Sequence, residues 1–331
     1  IRQMPKFKFA ATNTLLIVES PAKCGKIQSY LGPGYKVIAS FGHLRELTSL
    51  KNINMETFDI HYDVVKDARK RKHIEQMRTD INKSDEVIIA TDDDREGEAI
   101  GWHICMLFDL PVATTKRILF REITETAILD AMKSPRTLDM HLVNAQRARQ
   151  TLDLLVGFTI TPYLWKHVTQ HAEKSLSAGR CQTPALRLIY ENQKAIEQSP
   201  GTKVYNTTGY FTNHNIPFDL NKRYETQDEM QEFLEDTVNH DHLYSVGKPK
   251  KVFKKQPEPL TTSRIQQLAS NELRISPKET MKICQVLYEG GFITYMRTDS
   301  KKFSQEFITN VKVHIIKAYL DEKYIRHDID E

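Results

Sequence analysis

Short apolar runs alternate with helix-length stretches through the first 135 residues. Leu15-Leu16-Ile17-Val18 stops at Glu19-Ser20-Pro21, where Ser20 caps and Pro21 opens a helix to about Leu31, ended by Gly32. Lys36 to Ala39 reads as a second strand, leading into Phe41-Gly42-His43. After a polar connection (about 45–72), a helix near 73–83 precedes the run Val87-Ile88-Ile89-Ala90. A strand at Arg117 to Phe120 and a helix at Glu125 to Lys133 follow. Continuous apolar runs mark strands buried on both faces, and their alternation with helices predicts an α/β fold with a parallel, doubly wound sheet.

From Asp139 to about Ser199 the pattern turns helical. Asn144 to Phe158 sets Ala145, Ala148, Leu152, Leu155 and Val156 on one face, and a later helix covers Ala185 to about Gln198. Pro200-Gly201 marks a change of composition. Val204 to Phe211, Ile216 to Leu220 and Leu243 to Val246 read as strands, with a helical stretch near 227–237 and an extended Lys- and Pro-rich connection over 248–260. Thr262 to Leu273 is helical. Ser276-Pro277-Lys278-Glu279 is a capping box opening another helix, whose buried face carries Met281, Cys284, Leu287 and Tyr288 and which Gly290-Gly291 end. Phe292 to Met296 reads as a short apolar strand bearing Tyr295.

The length allows two or three domains, and 40% apolar with 27% charged residues is the balance of a globular protein. A net charge of +4 says little about partners, although Lys66 to Lys72 and Lys248 to Lys255 are basic clusters suited to phosphates, or simply solvated. Cys24, Cys105, Cys181 and Cys284 stand far apart, so neither a zinc site nor a disulfide framework is suggested, and a reduced intracellular compartment fits. No apolar run approaches a membrane span, and the chain, which begins with Ile1, reads as a fragment.

The chemistry concentrates where the run Val87 to Ala90 meets Thr91-Asp92-Asp93-Asp94-Arg95-Glu96-Gly97-Glu98. In a still-extended segment Asp92, Asp94 and Glu96 point to one side, and like charges so placed repel unless a cation lies among them. Hard oxygen ligands with room for water favour Mg²⁺; the alternative is a solvated acidic loop. The sheet places Glu19 and Asp92 at the carboxyl ends of two strands, with Lys23 one turn into the first helix. Arg149 and Asp153, four apart, read alone as a surface ion pair. The loop Ser175 to Pro184, with its hydroxyls and Arg180, suits a phosphate backbone or is a plain turn. His43 and His103, near the strands, read as structural.

Glu19-Ser20-Pro21-Ala22-Lys23, Asp92-Asp93-Asp94-Arg95-Glu96-Gly97-Glu98, Ser177-Ala178-Gly179-Arg180-Cys181-Gln182 and Gly291-Phe292-Ile293-Thr294-Tyr295-Met296-Arg297-Thr298-Asp299-Ser300 occur in this order. The set resembles type IA DNA topoisomerases, most of all their bacterial topoisomerase I branch, over about residues 14 to 305. The resemblance implies a toroidal protein: a Toprim domain (14–138), a helical DNA-binding domain (139–201), a β-rich arch segment (202–258) and an incomplete tyrosine-bearing domain (259–331). Tyr295 would be the nucleophile that forms a 5′-phosphotyrosine on single-stranded DNA, helped by Arg297, Glu19 and Lys23. Glu19, Asp92, Asp94 and Glu96 would hold Mg²⁺. Arg95, Arg149, Asp153, Arg180, Gln182, Thr294 and Asp299 would be the DNA-site residues.

The implied activity is relaxation of negatively supercoiled DNA by an intracellular, DNA-associated monomer. Exchange of one phosphoester for another needs no ATP, and no G-x-x-x-x-G-K-[ST] loop is present. Asp93 stands where relatives often carry an apolar or other residue. The chain ends 36 residues beyond Tyr295, before the family's active-site histidine, the return strands of the arch and any zinc modules. The fragment is therefore expected to bind single strands without relaxing DNA. A Toprim nuclease or primase is the competing enzyme class, and it needs no tyrosine.

Overall fold

The computed structural model describes residues 13–168, 176–211, 213–254 and 257–325. Its contacts divide the chain into two units, Ile1–Ser177 with Pro257–Glu331, and Ala178–Gln256.

The first unit is built on four strands, β1 (Thr14–Val18), β2 (Tyr35–Ala39), β5 (Glu86–Ala90) and β6 (Lys116–Arg117), in the order β2-β1-β5-β6 and all parallel. Between β2 and β5 lies a small antiparallel pair, β3 (Arg45–Glu46) and β4 (Asp63–Val64), inside what the sequence suggested was only a polar connection. Helices α1 (Pro21–Leu31), α2 (Ala68–Asn82), α3 (Arg95–Leu107) and α4 (Glu125–Lys133) cover the sheet. Alternate residues of the strands feed two separate cores, as a doubly wound sheet requires. Leu15, Ile17 and Ile89 pack with Ile74 and Met77 of α2 and Ile100 and Ile104 of α3. Leu16, Val18, Ile88 and Ala90 pack with Ile27 of α1 and Ile128 of α4.

The caps follow the sequence closely. Ser20 accepts from the Ala22 N–H ahead of α1, and Gly32, at φ +81°, ends that helix. Helix α2 begins five residues before the expected position because Asp67 caps it, accepting from the Lys70 N–H. Part of the Lys66–Lys72 cluster is thereby committed to the fold: Lys70 Nζ donates to the His43 carbonyl at 3.2 Å and Arg71 Nε to that of Val65. Strand β6 is shorter than expected and ends at Arg117, which on its other side forms an isolated antiparallel bridge with Arg136.

Helix α5 (Met140–His167) is longer than the periodicity suggested and turned differently. Ala145, Ala148 and Leu152 are exposed, whereas Val143, Gln146 and Thr151 are buried. The helix lies against α3, and a polar partner for Gln146 on that helix makes a buried glutamine affordable.

In the second unit, α6 (Gln182–Gln198) starts three residues early, so Gln182 opens the helix, with the Gly179 N–H donating to Thr183 Oγ1. Arg180 precedes this helix in a turn, and Ser175 lies outside the described residues. A hairpin, β7 (Thr208–Phe211) with β8 (Ile216–Asp219), and α7 (Gln227–Thr237) follow. Leu243 to Val246 forms no strand; these residues are exposed and pair with no described strand, although the Tyr244 ring packs edge-on against Phe218 of β8. Lys255 of the second basic cluster lies outside the described residues.

Back in the first unit, α8 (Thr262–Leu273) and α9 (Pro277–Glu289) form as expected, with Ser276 Oγ accepting from the Glu279 N–H. Cys284 and Tyr288 are buried in the core that contains Leu16 and Ala90, while Leu287 is left partly exposed. A last helix, α10 (Gln305–Tyr319), follows. The segment Phe292 to Met296 is not a strand: its hydrogen bonds run to a turn and a helix end, and it pairs with no described strand.

Candidate active site

The order β2-β1-β5-β6 reverses direction between β1 and β5, and ligands of open α/β sheets bind at the crevice beyond such a point. Val18 and Ala90 are paired in register, so Glu19 and the Thr91-Asp92 turn leave the sheet side by side. The turn is tight. A Cβ on Gly97 would overlap the Asp92 carbonyl, which is why the first turn of α3 carries a glycine there.

Lys23 projects from α1 into this turn and pairs with Asp92. Its side chain is fully buried, and its ammonium also lies 4.9 Å from the centre of the Tyr288 ring. Burial raises the Asp92 carboxyl and Lys23 pulls it back, with a net upward displacement. The Glu19 carbonyl accepts from the Phe41 N–H at 3.0 Å, but its carboxylate accepts no hydrogen bond from the described residues. Burial and then the charge of Asp92 raise its carboxyl to about 7, with Asp94 adding to the rise and Lys23 and His43 opposing it.

Asp94 joins distant parts of the chain. Its Oδ1 caps α3 by accepting from the Gly97 N–H at 2.8 Å, and its Oδ2 accepts from Tyr295 Oη at 2.6 Å and Arg297 at 2.8 Å. Tyr295 is 6% exposed and packs edge-on against Tyr288, with ring centres 5.0 Å apart. Burial, and then the bond its neutral phenol makes to Asp94, hold Tyr295 well above the usual tyrosine range, against the pull of Arg297. The backbone N–H of Tyr295 donates to the Arg121 carbonyl at 2.8 Å.

Glu96 does not join the other acids. The extended segment ends at Asp94, so helical geometry turns Glu96 away. It accepts from Gln146 at 3.1 Å and lies 3.6 Å from His43 and 3.7 Å from Arg149, which hold its carboxyl below the ordinary value, His43 most strongly. Arg149 is thus brought to the acidic turn, while Asp153 sits one turn further along the exposed side of α5. Arg95 is exposed on the first turn of α3, and Thr294 and Asp299 are exposed beside Tyr295 and Arg297. Asp93 pairs with Arg121, at 2.7 Å.

Several residues of the site escaped the sequence reading. His43 reaches Glu96 instead of being purely structural, whereas His103 is buried against His43, Tyr62 and Trp102, and burial lowers it to about 3. Arg117, fully buried, donates to the carbonyls of Thr91 at 3.2 Å and Asp92 at 2.9 Å and pairs with Glu98 at 3.0 Å, so a buried guanidinium underpins the turn. A charged residue at the head of an apolar strand run was the available signal.

Among the described residues no three His, Cys, Asp or Glu side chains are gathered closely enough to hold a metal ion. Mg²⁺ commonly takes one or two carboxylates and keeps several waters, so Glu19 and Asp92 still fit it. Burial, Asp92 and Asp94 raise the Glu19 carboxyl beyond what Lys23 and His43 offset, and a cation would make up the difference.

Residues 137–328, more than half of the chain, match the DNA topoisomerase family model, and residues 14–123 match the Toprim domain, a domain that generally binds metal. DNA topoisomerase 1 of Rickettsia felis is 39% identical over 338 residues, covering 94% of this chain and 43% of that protein. The Rickettsia conorii DNA topoisomerase 1 is 40% identical over 340 residues, with the same coverage. The structure of full-length topoisomerase I from Thermotoga maritima is similar at a TM-score of 0.77 and 36% identity, over 94% of this chain and 53% of that one. The chain therefore spans less than half the length of these curated relatives. Two family matches, the relatives and the shared fold agree: the chain belongs to the type IA DNA topoisomerases.

Proposed function

We propose that the protein cleaves and rejoins single-stranded DNA through a 5′-phosphotyrosine on Tyr295, and so relaxes negatively supercoiled DNA without ATP. The supporting observation is the meeting of Tyr295 and Arg297 on one oxygen of Asp94, at the mouth of the crevice formed by Glu19 and Asp92. The phenolic oxygen attacks phosphorus, the bond to the 3′ oxygen breaks, and the leaving oxygen takes up a proton; rejoining is the reverse. Asp94 is within reach of the phenol proton, which a neutral tyrosine must lose to act as a nucleophile. Arg297 is placed to offset the phosphate charge that develops. Glu19, poised at about 7, suits proton transfer at the 3′ oxygen. Lys23 acts from behind, holding Asp92 in place.

Glu19 and Asp92 are the residues that would hold Mg²⁺, which would supply charge neutralisation at the 3′ end; the oxygens of Asp94 already serve Gly97, Tyr295 and Arg297. Glu96, held by the buried Gln146, serves to place Arg149. Arg95, Arg149, Asp153, Thr294 and Asp299 are the proposed DNA contacts of this unit, and Arg180 and Gln182 those of the other. The four-part domain organisation and a monomeric state belong to the same proposal.

The test is protein-linked label after denaturing quench of reactions with 3′-labelled and 5′-labelled single strands. Label retained from the 3′-labelled strand and lost in Tyr295→Phe is the expected result. Free fragments without adduct, indifferent to Tyr295→Phe and lost on chelation of Mg²⁺, would establish a Toprim nuclease instead.

A further inference from the structure

The segment carrying Tyr295 has no strand to fix it, yet it must hold two side chains on one carboxylate oxygen. The peptide between Met296 and Arg297 sets the spacing of those side chains, and one residue far away in sequence grips it. Thr262 is the first residue of α8, whose cap is Thr261. Its N–H, one of the donors a helix start leaves unpaired, bonds the Thr298 carbonyl at 3.0 Å. Its hydroxyl accepts from the Thr298 N–H at 2.9 Å and lies 2.8 Å from the Met296 carbonyl and 3.1 Å from that of Thr298. A hydroxyl has one proton, so it donates to one carbonyl at a time, and Met296 is the nearer. On the other side the Tyr295 N–H is held by the Arg121 carbonyl. The nucleophile is thus clamped between a turn at the sheet edge and the end of a helix.

We propose that Thr262 is a positioning residue for Tyr295 and Arg297, a role that rests on the phosphotyrosine reading above. It acts through the backbone of Met296 and Thr298, not on the reacting atoms. Its hydroxyl fixes the backbone from which both groups project, and a small misplacement of reacting groups is enough to slow a transfer severely.

The experiment uses the full-length protein. Thr262→Val keeps the shape and removes the hydroxyl, and Thr262→Ser keeps the hydroxyl. The rate of adduct formation on a 3′-labelled single strand is expected to fall by about tenfold or more in Thr262→Val and to stay within about threefold in Thr262→Ser. Strand binding, read by fluorescence anisotropy in a Tyr295→Phe background, is expected to change less than about twofold, since the loss is in the reaction and not in binding. The Thr298 amide is expected to exchange with solvent faster in Thr262→Val and normally in Thr262→Ser. An unchanged adduct rate in Thr262→Val overturns the proposal, as does a folded Thr262→Ser that is slowed as much as Thr262→Val. Should Thr262→Val not fold, Thr262→Ser alone decides, because a positioning hydroxyl must survive that exchange. Absence of any adduct from the unsubstituted protein overturns the phosphotyrosine reading itself, and the clamp is then judged on Thr298 exchange.

Discussion

Lys23 and Asp92 form an ion pair whose side chains are 0% and 5% exposed, at the point where the sheet reverses its strand order. A buried pair adds little over an apolar pair of equal volume, but stripping one partner leaves an unpaired charge in the interior. The pair sits beneath the crevice, where each charge is the other's partner.

Lys23→Met is therefore expected to lower unfolding free energy by about 3–5 kcal/mol, because Asp92 is left charged and buried. Adding Asp92→Asn removes that charge, so the double variant should be more stable than Lys23→Met alone. Urea unfolding of the four proteins closes the cycle. Losses that simply add would mean the two side chains act independently.

The Asp92 turn depends equally on an absent side chain. Gly97→Ala places a methyl group on the Asp92 carbonyl, and backbone cannot yield as a flexible side chain does. The expected loss is about 1–3 kcal/mol, accompanied by a displaced Asp92 and a slower adduct reaction. Thermal unfolding and adduct rates measured on the same preparation check it; an Ala variant with unaltered stability and rate would show that the turn can relax.

The sheet and its switch point were legible because buried parallel strands leave continuous apolar runs, and Ser20, Gly32 and Ser276 announce their helix ends by chemistry that acts locally. What sequence could not show was decided by tertiary contact. Glu96 leaves the acid cluster because α3 begins at Arg95, a boundary one residue wide, and because Gln146 and Arg149 of a distant helix receive it. The face that α5 buries differs from its apolar stripe for the same reason: Gln146 is buried for a polar partner, not for apolar area. Phe292 to Met296 has the composition of a strand, but a strand also needs an edge to pair with, and composition carries no information about that.

Tyr288 offers a cleaner case of a buried polar group. Its ring is fully buried between Lys23 and Tyr295, and its hydroxyl has no hydrogen-bond partner among the described residues. Burial first, and then nearby carboxylates, hold that phenol far above its ordinary range, so it is neutral at every working pH. Tyr288→Phe keeps the ring contacts and deletes the unpaired oxygen. It should raise stability by about 1 kcal/mol, the scale of an unsatisfied buried hydroxyl. A fall in the urea midpoint would reveal a partner that the hydroxyl does use.

Glu19 links the site to pH. Its carboxyl ionises at about 7 in the folded protein against 4.5 ordinarily, raised by burial, Asp92 and Asp94 and opposed by Lys23 and His43. Below pH 4.5 both folded and unfolded chains hold the proton, and the group contributes nothing adverse. Between about 4.5 and 7 the unfolded chain releases the proton first, so stability falls as pH rises, and above 7 the loss is complete. Glu19→Gln cannot ionise. Relative to the unsubstituted protein, it should be no more stable at pH 4.5 and more stable at pH 8, by at most about 3 kcal/mol. The comparison is made by urea unfolding with EDTA present. Repeating it in Mg²⁺ separates the site's two proposed roles, because a bound cation stabilises the ionised Glu19 and should shrink or reverse the advantage of Gln. A Gln advantage of equal size at pH 4.5 and 8 would remove Glu19 as the titrating group. One unaffected by Mg²⁺ would remove it from the metal site.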